Sequence, residues 1–397
     1  MKNLLFLVHR IPYPPNKGDK IRSFHFLKAL SQHYHVFLGT FIDDDNDRQY
    51  IDTVKSYCRD TYIELLNPKH SKLKSLTGLL TGSALSLPYY RNGRLQAWVD
   101  ATIDRYAIQK VLIFSSVMGQ FVLNRSDIEL LADFVDVDSD KWQQYSKKKH
   151  WPESWIYRRE SERLFVFEKR LIAQAKAGLF VSEQEAALFR SMVPDYEDRV
   201  FGVNNGVDTE YFSPEQVFES PFHANAKTLV FTGAMDYWAN VDAVKWFAER
   251  VFPMIKQRCA SAEFYIVGSK PTKDVLALAE RDGIVVTGGV PDVRPYLANA
   301  DAVVTPLRIA RGIQNKVLEA MAMDKPVIAT TMAIEGIPVD ETHRVAVHDD
   351  EKGYAEAVCQ ILIGEDAGRE RSQNNRQFVL NHFSWQAATD RLIELIG

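Results

Sequence analysis

Lys316 and Glu319 stand three residues apart in the segment Thr305-Pro-Leu-Arg-Ile-Ala-Arg-Gly-Ile-Gln-Asn-Lys-Val-Leu-Glu-Ala-Met-Ala-Met-Asp-Lys-Pro-Val-Ile-Ala-Thr330. On a helix that spacing puts a cation and a carboxylate on one face, a turn apart. The segment reads as strand end, loop, helix, turn and strand. Ala302-Val303-Val304 is an apolar strand run, and Pro306 and Gly312 mark the loop. Ile313, Val317 and Met321 then recur at helical spacing, Asp324-Lys325-Pro326 stops the helix, and Val327-Ile328-Ala329 starts the next strand. Free amides at a helix start bind anions, and here they belong to Ile313, Gln314 and Asn315, just after Gly312. The helix therefore offers amides and an ammonium to a phosphate, and a carboxylate to hydroxyls beyond it. A sugar nucleotide carries its groups in that order.

Strand and helix signals alternate along the whole chain, which predicts an α/β protein with parallel sheets. In the first half, Leu4–Val8, His35–Gly39, Lys110–Phe114, Phe134–Val137 and Gly178–Val181 read as strands, with helices over Ile21–Ser31 and Glu160–Gln174. In the second half the strands are Thr228–Phe231, Glu263–Val267, Ile284–Thr287, Ala302–Thr305 and Val327–Ala329. The turn-rich stretch Val203–Pro221 separates the halves. Two doubly wound sheets are expected, with ligands at their strand carboxyl ends.

Composition sets bounds on function. A chain of 397 residues with 46% hydrophobic and 25% charged side chains is ordinary globular material for two domains. Its net charge of −4 gives no bulk attraction for nucleic acid. Three distant cysteines, Cys58, Cys259 and Cys359, have neither pairing nor metal spacing and suit a reducing compartment. Leu4–Val8 is too short for a secretory apolar core, and no stretch approaches the roughly 20 apolar residues needed to span a bilayer. A cytoplasmic protein is expected, with a peripheral place on the inner membrane as the variant.

Several blocks of the second half resemble glycosyltransferase family 4. They are Asn205-Gly206-Val207-Asp208 with Phe212-Ser213-Pro214, Phe231-Thr232-Gly233, Val267-Gly268, Thr287-Gly288, Arg311–Val327 and Phe383-Ser384-Trp385. The first half is similar to a narrower branch, the exosortase/PEP-CTERM-associated sugar transferases. Its blocks are Arg10–Arg22 and Val135–Trp142. The resemblance implies a GT-B fold of two Rossmann-like domains facing across a cleft. The domains are expected at 1–205 for the acceptor, with a C-terminal helix 380–397 packing back on it, and 206–379 for the nucleotide-sugar donor. It implies a retaining, metal-independent hexosyltransferase with no cofactor beyond its donor substrate. The partners are the donor, a glycan or lipid-linked acceptor of exopolysaccharide or cell-surface glycan synthesis, and an anionic membrane surface.

Residue by residue, the resemblance places Gly18, Gly233, Gly312, Ile313, Gln314, Asn315, Lys316 and Glu319 at the donor. Lys316, Arg311, Asp19 and Asp138 are the catalytic set. In the family two glutamates eight apart bracket the donor. Glu319 occupies the second position, but Arg311 stands at the first, and the usual Arg and Lys after Phe231-Thr232-Gly233 are missing. Lys316, the amides and Arg311 are then left to meet the diphosphate charge. A non-catalytic sugar-nucleotide-binding scaffold and a GT-B sugar-nucleotide epimerase are the competing readings.

Further features have two readings each. Gly18 lies in a loop after the first strand, with Lys17, Lys20 and Arg22 around it as an anion site, and Asp19 either orients an acceptor hydroxyl or caps the next helix. Asp136 and Asp138 follow a strand and either face the cleft or make turn contacts. Asn240 either caps a helix or serves the site. Two stretches mix bases with apolar or aromatic residues: Lys69–Lys74 with Leu76–Leu80 and Tyr89-Tyr90-Arg91, and Lys147–Trp151 with Trp155, Tyr157, Arg158 and Arg159. They are either solvated helix faces or bilayer-docking surfaces.

Overall fold

The apolar runs form the interiors of two parallel sheets, and the chain divides into two compact units. In the computed structural model all residues are described except Asn16, Lys17, Arg311, Glu341 and 365–372, together with the side chains of Lys148, Gln373 and Asn374. Unit 1 comprises Met1–Asn205 and Ala388–Gly397, and unit 2 comprises Gly206–Ala387. The chain thus returns to unit 1 at Ala388, within the Trp385–Ile396 helix.

Among the described residues unit 1 holds seven strands: β1 (Lys2–Val8), β2 (Tyr34–Ile42), β3 (Asp60–Leu65), β4 (Lys110–Phe114), β5 (Glu129–Val135), β6 (Ala177–Phe180) and β7 (Val200–Gly202). They run parallel in the order β3-β2-β1-β4-β5-β6-β7. Unit 2 holds β8 (Lys227–Thr232), β9 (Ala262–Val267), β10 (Ile284–Gly288), β11 (Ala302–Thr305), β12 (Val327–Ala329) and β13 (Val345–Val347). Their order is β10-β9-β8-β11-β12-β13, again all parallel. Strand order reverses between β1 and β4 in one unit and between β8 and β11 in the other. Each reversal opens a crevice at the strand carboxyl ends.

Central strands are buried on both faces, as parallel sheets require. Leu4 to Leu7 and Leu112 to Phe114 are fully buried, as are Leu229 to Phe231 and Ala302 to Val304. Every such Leu or Phe contributes about 1.5–3 kcal/mol by leaving water. The strands that the sequence pattern does not reveal are β3, β7 and β13, and all three are sheet edges. β3 is half exposed and carries Asp60 and Glu64, and the other two are three residues long.

Two cations near Gly18 turn inward, against the expectation of an anion site there. Lys20 Nζ lies 2.5 Å from Asp47 Oδ2, and both side chains are buried. Arg22 is fully buried and donates to Asp133 Oδ2 at 2.8 Å, to the Val203 carbonyl at 2.7 Å and to Asn205 Oδ1 at 3.0 Å. The motif residue Arg22 therefore fastens the end of unit 1. Lys17 lies outside the described residues.

The crossings between units have a steric logic. Val207 forms a bridge with Ser384, and the Val207 amide donates to the Phe383 carbonyl at 2.6 Å. A Cβ on Gly206 would sit 2.2 Å from the Trp385 nitrogen, so only glycine allows this approach. Two distant sequence blocks, Asn205–Asp208 and Phe383–Trp385, thus meet backbone to backbone.

Candidate functional site

Unit 2 carries a cavity of about 480 Å³ at the carboxyl ends of β8, β9 and β10 and at the start of the Asn315–Ala322 helix. Two glycines shape its wall. The Gly233 amide donates to the Val267 carbonyl at 3.0 Å, and the Gly268 amide to the Gly288 carbonyl at 3.1 Å. A Cβ on Gly268 would fall 1.6 Å from the Gly233 oxygen, and one on Gly233 would fall 2.7 Å from Asn240 Nδ2. Without side chains the two strand ends come close enough for backbone to form the floor.

Lys316 and Glu319 both line this cavity. Asn240 Nδ2 donates to the Ala234 carbonyl at 2.9 Å, which orients its Oδ1 to accept from Lys316 Nζ at 2.7 Å. The ammonium also lies 4.3 Å from the centroid of the Phe231 ring, a cation–π distance. Burial lowers the Lys316 pKa to about 8, with the Glu319 charge opposing the shift. Burial raises Glu319 to about 7, opposed by Lys316. No side chain among the described residues hydrogen-bonds the Glu319 carboxylate. Carboxylate oxygens held in a cavity without protein donors are acceptors for ligand hydroxyls.

Asn315 also lines the cavity. Gly312, Ile313 and Gln314 form the turn that leads to it. Gly312 has φ +70°, Ile313 packs on the core, and Gln314 Nε2 donates to the Gly312 carbonyl at 3.0 Å. Among the described residues no side chain caps the helix through a hydrogen bond, which leaves its first amides for a ligand. Arg311 lies outside the described residues. Gly18 opens the Gly18–His33 helix of unit 1, so its donor role rests on the resemblance alone.

Asn240 is the side chain whose role the sequence left open. It is the third residue of the Trp238–Trp246 helix, and the N-cap position is Tyr237. Its use is to hold Lys316. The signal was its place just past the Gly233 turn, where a first helical turn faces the strand ends.

In unit 1, His9 follows β1 and was not singled out by sequence reasoning. Its ring lies parallel to Phe114 at 5.9 Å, and its Nε2 is 3.6 Å from Asp19 Oδ2. Arg10 Nη1 donates to the same oxygen at 2.8 Å, and Arg10 also grips Asp43. Burial works to raise the Asp19 pKa. The His9 hydrogen bond and the Arg10 charge outweigh it and hold the carboxyl far below the usual range. Asp19 is thus an ion-paired carboxylate and a poor proton acceptor near neutrality. Asp138 begins the Asp138–Lys148 helix, where burial pushes its pKa up to about 6 and the Lys141 charge opposes. Asp136 and Asp138 lie 3.6 and 4.0 Å from Lys141 Nζ, and their pairing is with that cation. Among the described residues no group of three His, Cys, Asp or Glu side chains is placed to hold a metal ion.

Residues 226–363, which include most of the cavity, match the family described as Glycosyl transferases group 1. No curated protein matches the chain by sequence. Solved structures match over nearly its whole length. Sucrose-phosphate synthase from Thermosynechococcus elongatus superposes with a TM-score of 0.65 at 19% identity, covering 99% of this chain and 98% of that one. Anabaena HepE in complex with UDP gives 0.66 at 14% identity, with coverage of 99% and 98%. WaaG, a glycosyltransferase involved in lipopolysaccharide biosynthesis, gives 0.61 at 14%, with coverage of 99% and 100%. The fold is GT-B. Within this GT-B chain, the group 1 segment supplies β8 to β13 and the Lys316–Glu319 helix.

Proposed function

We propose that the protein is a glycosyltransferase that takes a sugar from a nucleoside-diphosphate donor held in unit 2. The observation that supports this best is the single cavity wall carrying Lys316, Glu319 and the uncapped start of their helix. Lys316 and the Asn315 and Lys316 amides meet the diphosphate, and Glu319 accepts the ribose hydroxyls. HepE, similar in fold, has been solved with UDP and with UDP-glucose. Arg311 joins the diphosphate end in this proposal on its sequence position alone, eight residues before Glu319.

The reaction we propose retains anomeric configuration and needs no metal. The bond between the sugar anomeric carbon and the diphosphate oxygen breaks, and the acceptor oxygen bonds to that carbon from the same face. The acceptor proton passes to the departing diphosphate. The protein's task is to stabilise the growing negative charge, which preorganised amides and an ammonium do well away from water. Unit 1 receives a glycan or lipid-linked acceptor, consistent with exopolysaccharide or cell-surface glycan synthesis at a membrane surface. Incubating the protein with UDP-, GDP- and ADP-sugars, with and without lipid-linked acceptors, tests the reading by mass spectrometry. Donor consumption that depends on added acceptor is expected. Acceptor-independent inversion of the sugar would instead identify an epimerase, and binding without turnover a scaffold.

A further inference from the structure

Between Leu65 and Val99 the chain has no aspartate or glutamate, although it has 52 in all, and this run contains Lys69, Lys72, Lys74, Arg91 and Arg94. It folds into short helices at Pro68–Ser75, Thr77–Thr81 and Ser86–Tyr90, followed by the start of the Gly93–Tyr106 helix. A cavity of about 500 Å³ opens among them, with Lys74, Arg91 and Arg94 on its wall beside Tyr89 and Tyr90. Among the described residues none of these three cations forms an ion pair. Among the described residues Glu64 is the one carboxylate on the wall, and it accepts from the Tyr62 hydroxyl at 2.8 Å. Burial, and then the Arg91 charge, hold the Lys74 ammonium below its ordinary pKa. The wall thus carries three cations against one carboxylate, and the balance of charge is positive.

Beside it lies an apolar ridge. Leu76 links the first two helices with helical backbone angles, so Leu73, Leu76 and Leu80 follow one helical path at i, i+3 and i+7. They are 69%, 52% and 90% exposed, while Ser71 and Gly78 on the same path are buried. Three leucines facing water on one stripe form a patch. The second basic and aromatic stretch meets this one. Arg159, on the Glu153–Gln174 helix, donates to the Gly78 and Ser83 carbonyls at 2.6 and 3.1 Å, and the Glu160 carboxylate accepts from the Leu85 and Ser86 amides. Trp155, one turn before Arg159, is 52% exposed. Arg159 is therefore a clamp between the two stretches.

We propose that this face of unit 1 docks on an anionic bilayer, with Leu73, Leu76 and Leu80 in the acyl boundary and the Lys74, Arg91 and Arg94 cavity on a lipid phosphate. Leucines beside unpaired cations match the layered chemistry of an anionic leaflet, apolar beneath and negative at the surface. The inference deepens the membrane part of the proposed function by naming the surface. It is read without donor or acceptor, so failure of sugar transfer leaves its test intact.

The test is co-sedimentation with vesicles of phosphatidylcholine alone and of phosphatidylcholine with phosphatidylglycerol, at low and high salt. Binding to the mixed vesicles, weakened by salt, is expected, with little binding to phosphatidylcholine. Leu73→Ser/Leu76→Ser/Leu80→Ser and, separately, Arg91→Ala/Arg94→Ala should each lower the partition coefficient at least tenfold, with circular dichroism and melting temperature like the parent. No binding to mixed vesicles at any salt would overturn the proposal. So would a folded leucine variant that partitions like the parent. Glycerol phosphate that binds the parent and the leucine variant equally, without vesicle binding, would mark a soluble-anion site and also overturn it.

Discussion

Lys316 and Glu319 occupy neighbouring turns of one helix, and burial drives their pKa values toward each other, to about 8 and about 7. Each lacks part of the stabilisation that water would give its charge. A diphosphate would restore it to the ammonium, and ribose hydroxyls would restore it to the carboxylate.

Glu319→Ala should weaken nucleoside-diphosphate binding at least tenfold in titration calorimetry, because hydrogen bonds to a charged group contribute about 1.5–3 kcal/mol. Stability should shift the other way with pH. A carboxyl raised from 4.5 to about 7 favours the folded state fully below its unfolded value and loses that contribution as pH rises through about 7. Glu319→Gln should therefore gain melting temperature relative to the parent as pH rises through that window. A constant difference at all pH values would remove the buried-charge argument.

Lys316→Ala should cost diphosphate affinity far more than nucleoside affinity. An anion bound at Lys316 raises the ammonium pKa, so binding should take up a proton above about pH 8 and weaken as pH climbs further. Calorimetry in two buffers of different ionisation enthalpy measures that proton. Equal affinity losses for diphosphate and nucleoside would make Lys316 a structural residue.

Gly268→Ala places a methyl group 1.6 Å from the Gly233 oxygen, so one strand end must move. Overpacking of this kind costs about 1–3 kcal/mol. Chemical denaturation should show that loss, together with loss of nucleotide binding. A variant that binds like the parent would mean the cavity floor is not the binding surface.

The unit 2 site was legible because its signals are local. Gly312, Val317, Met321 and Pro326 punctuate one strand–loop–helix–strand unit, and Lys316 and Glu319 share a face by spacing alone. The second-half strands appear within a residue of their expected limits for the same reason: each is an apolar run between turns. The edge strands β3, β7 and β13 escaped because one open flank relaxes the demand for apolar residues. Pairings across long sequence separations were also hidden. Arg22 reads as an anion-binding cation until Asp133, more than a hundred residues on, is brought against it. The same holds for Asn240 with Lys316, and for His9 with Phe114.

Arg22→Ala should be severe even though the residue lies in a sequence block that looks functional. Removing one partner of a buried pair leaves an uncompensated charge, at a cost of about 3–5 kcal/mol. Asp133 would be that charge, and the Val203 and Asn205 acceptors would lose their donor. Urea denaturation measures the loss, and a change below about 1 kcal/mol would mean Arg22 is not a fastening for unit 1.

Arg311→Ala should lower donor affinity or turnover more than tenfold, and Arg311→Glu should not restore it, since a carboxylate there would meet the diphosphate without a balancing cation. Gain of activity in the glutamate variant would remove Arg311 from the diphosphate end.

The bridge between Val207 and Ser384 has a topological result. It pairs Val207, next to the start of Gly206–Ala387, with Ser384, near its end, so the two ends of this segment lie together like those of an inserted cassette. Excising it leaves two adjacent ends rather than a severed core strand. Unit 2 is thereby a target for separation by genetic surgery. A short Gly-Ser bridge between the ends would let the chain be opened at a loop elsewhere while the spatial order of β8 to β13 in the sheet is kept.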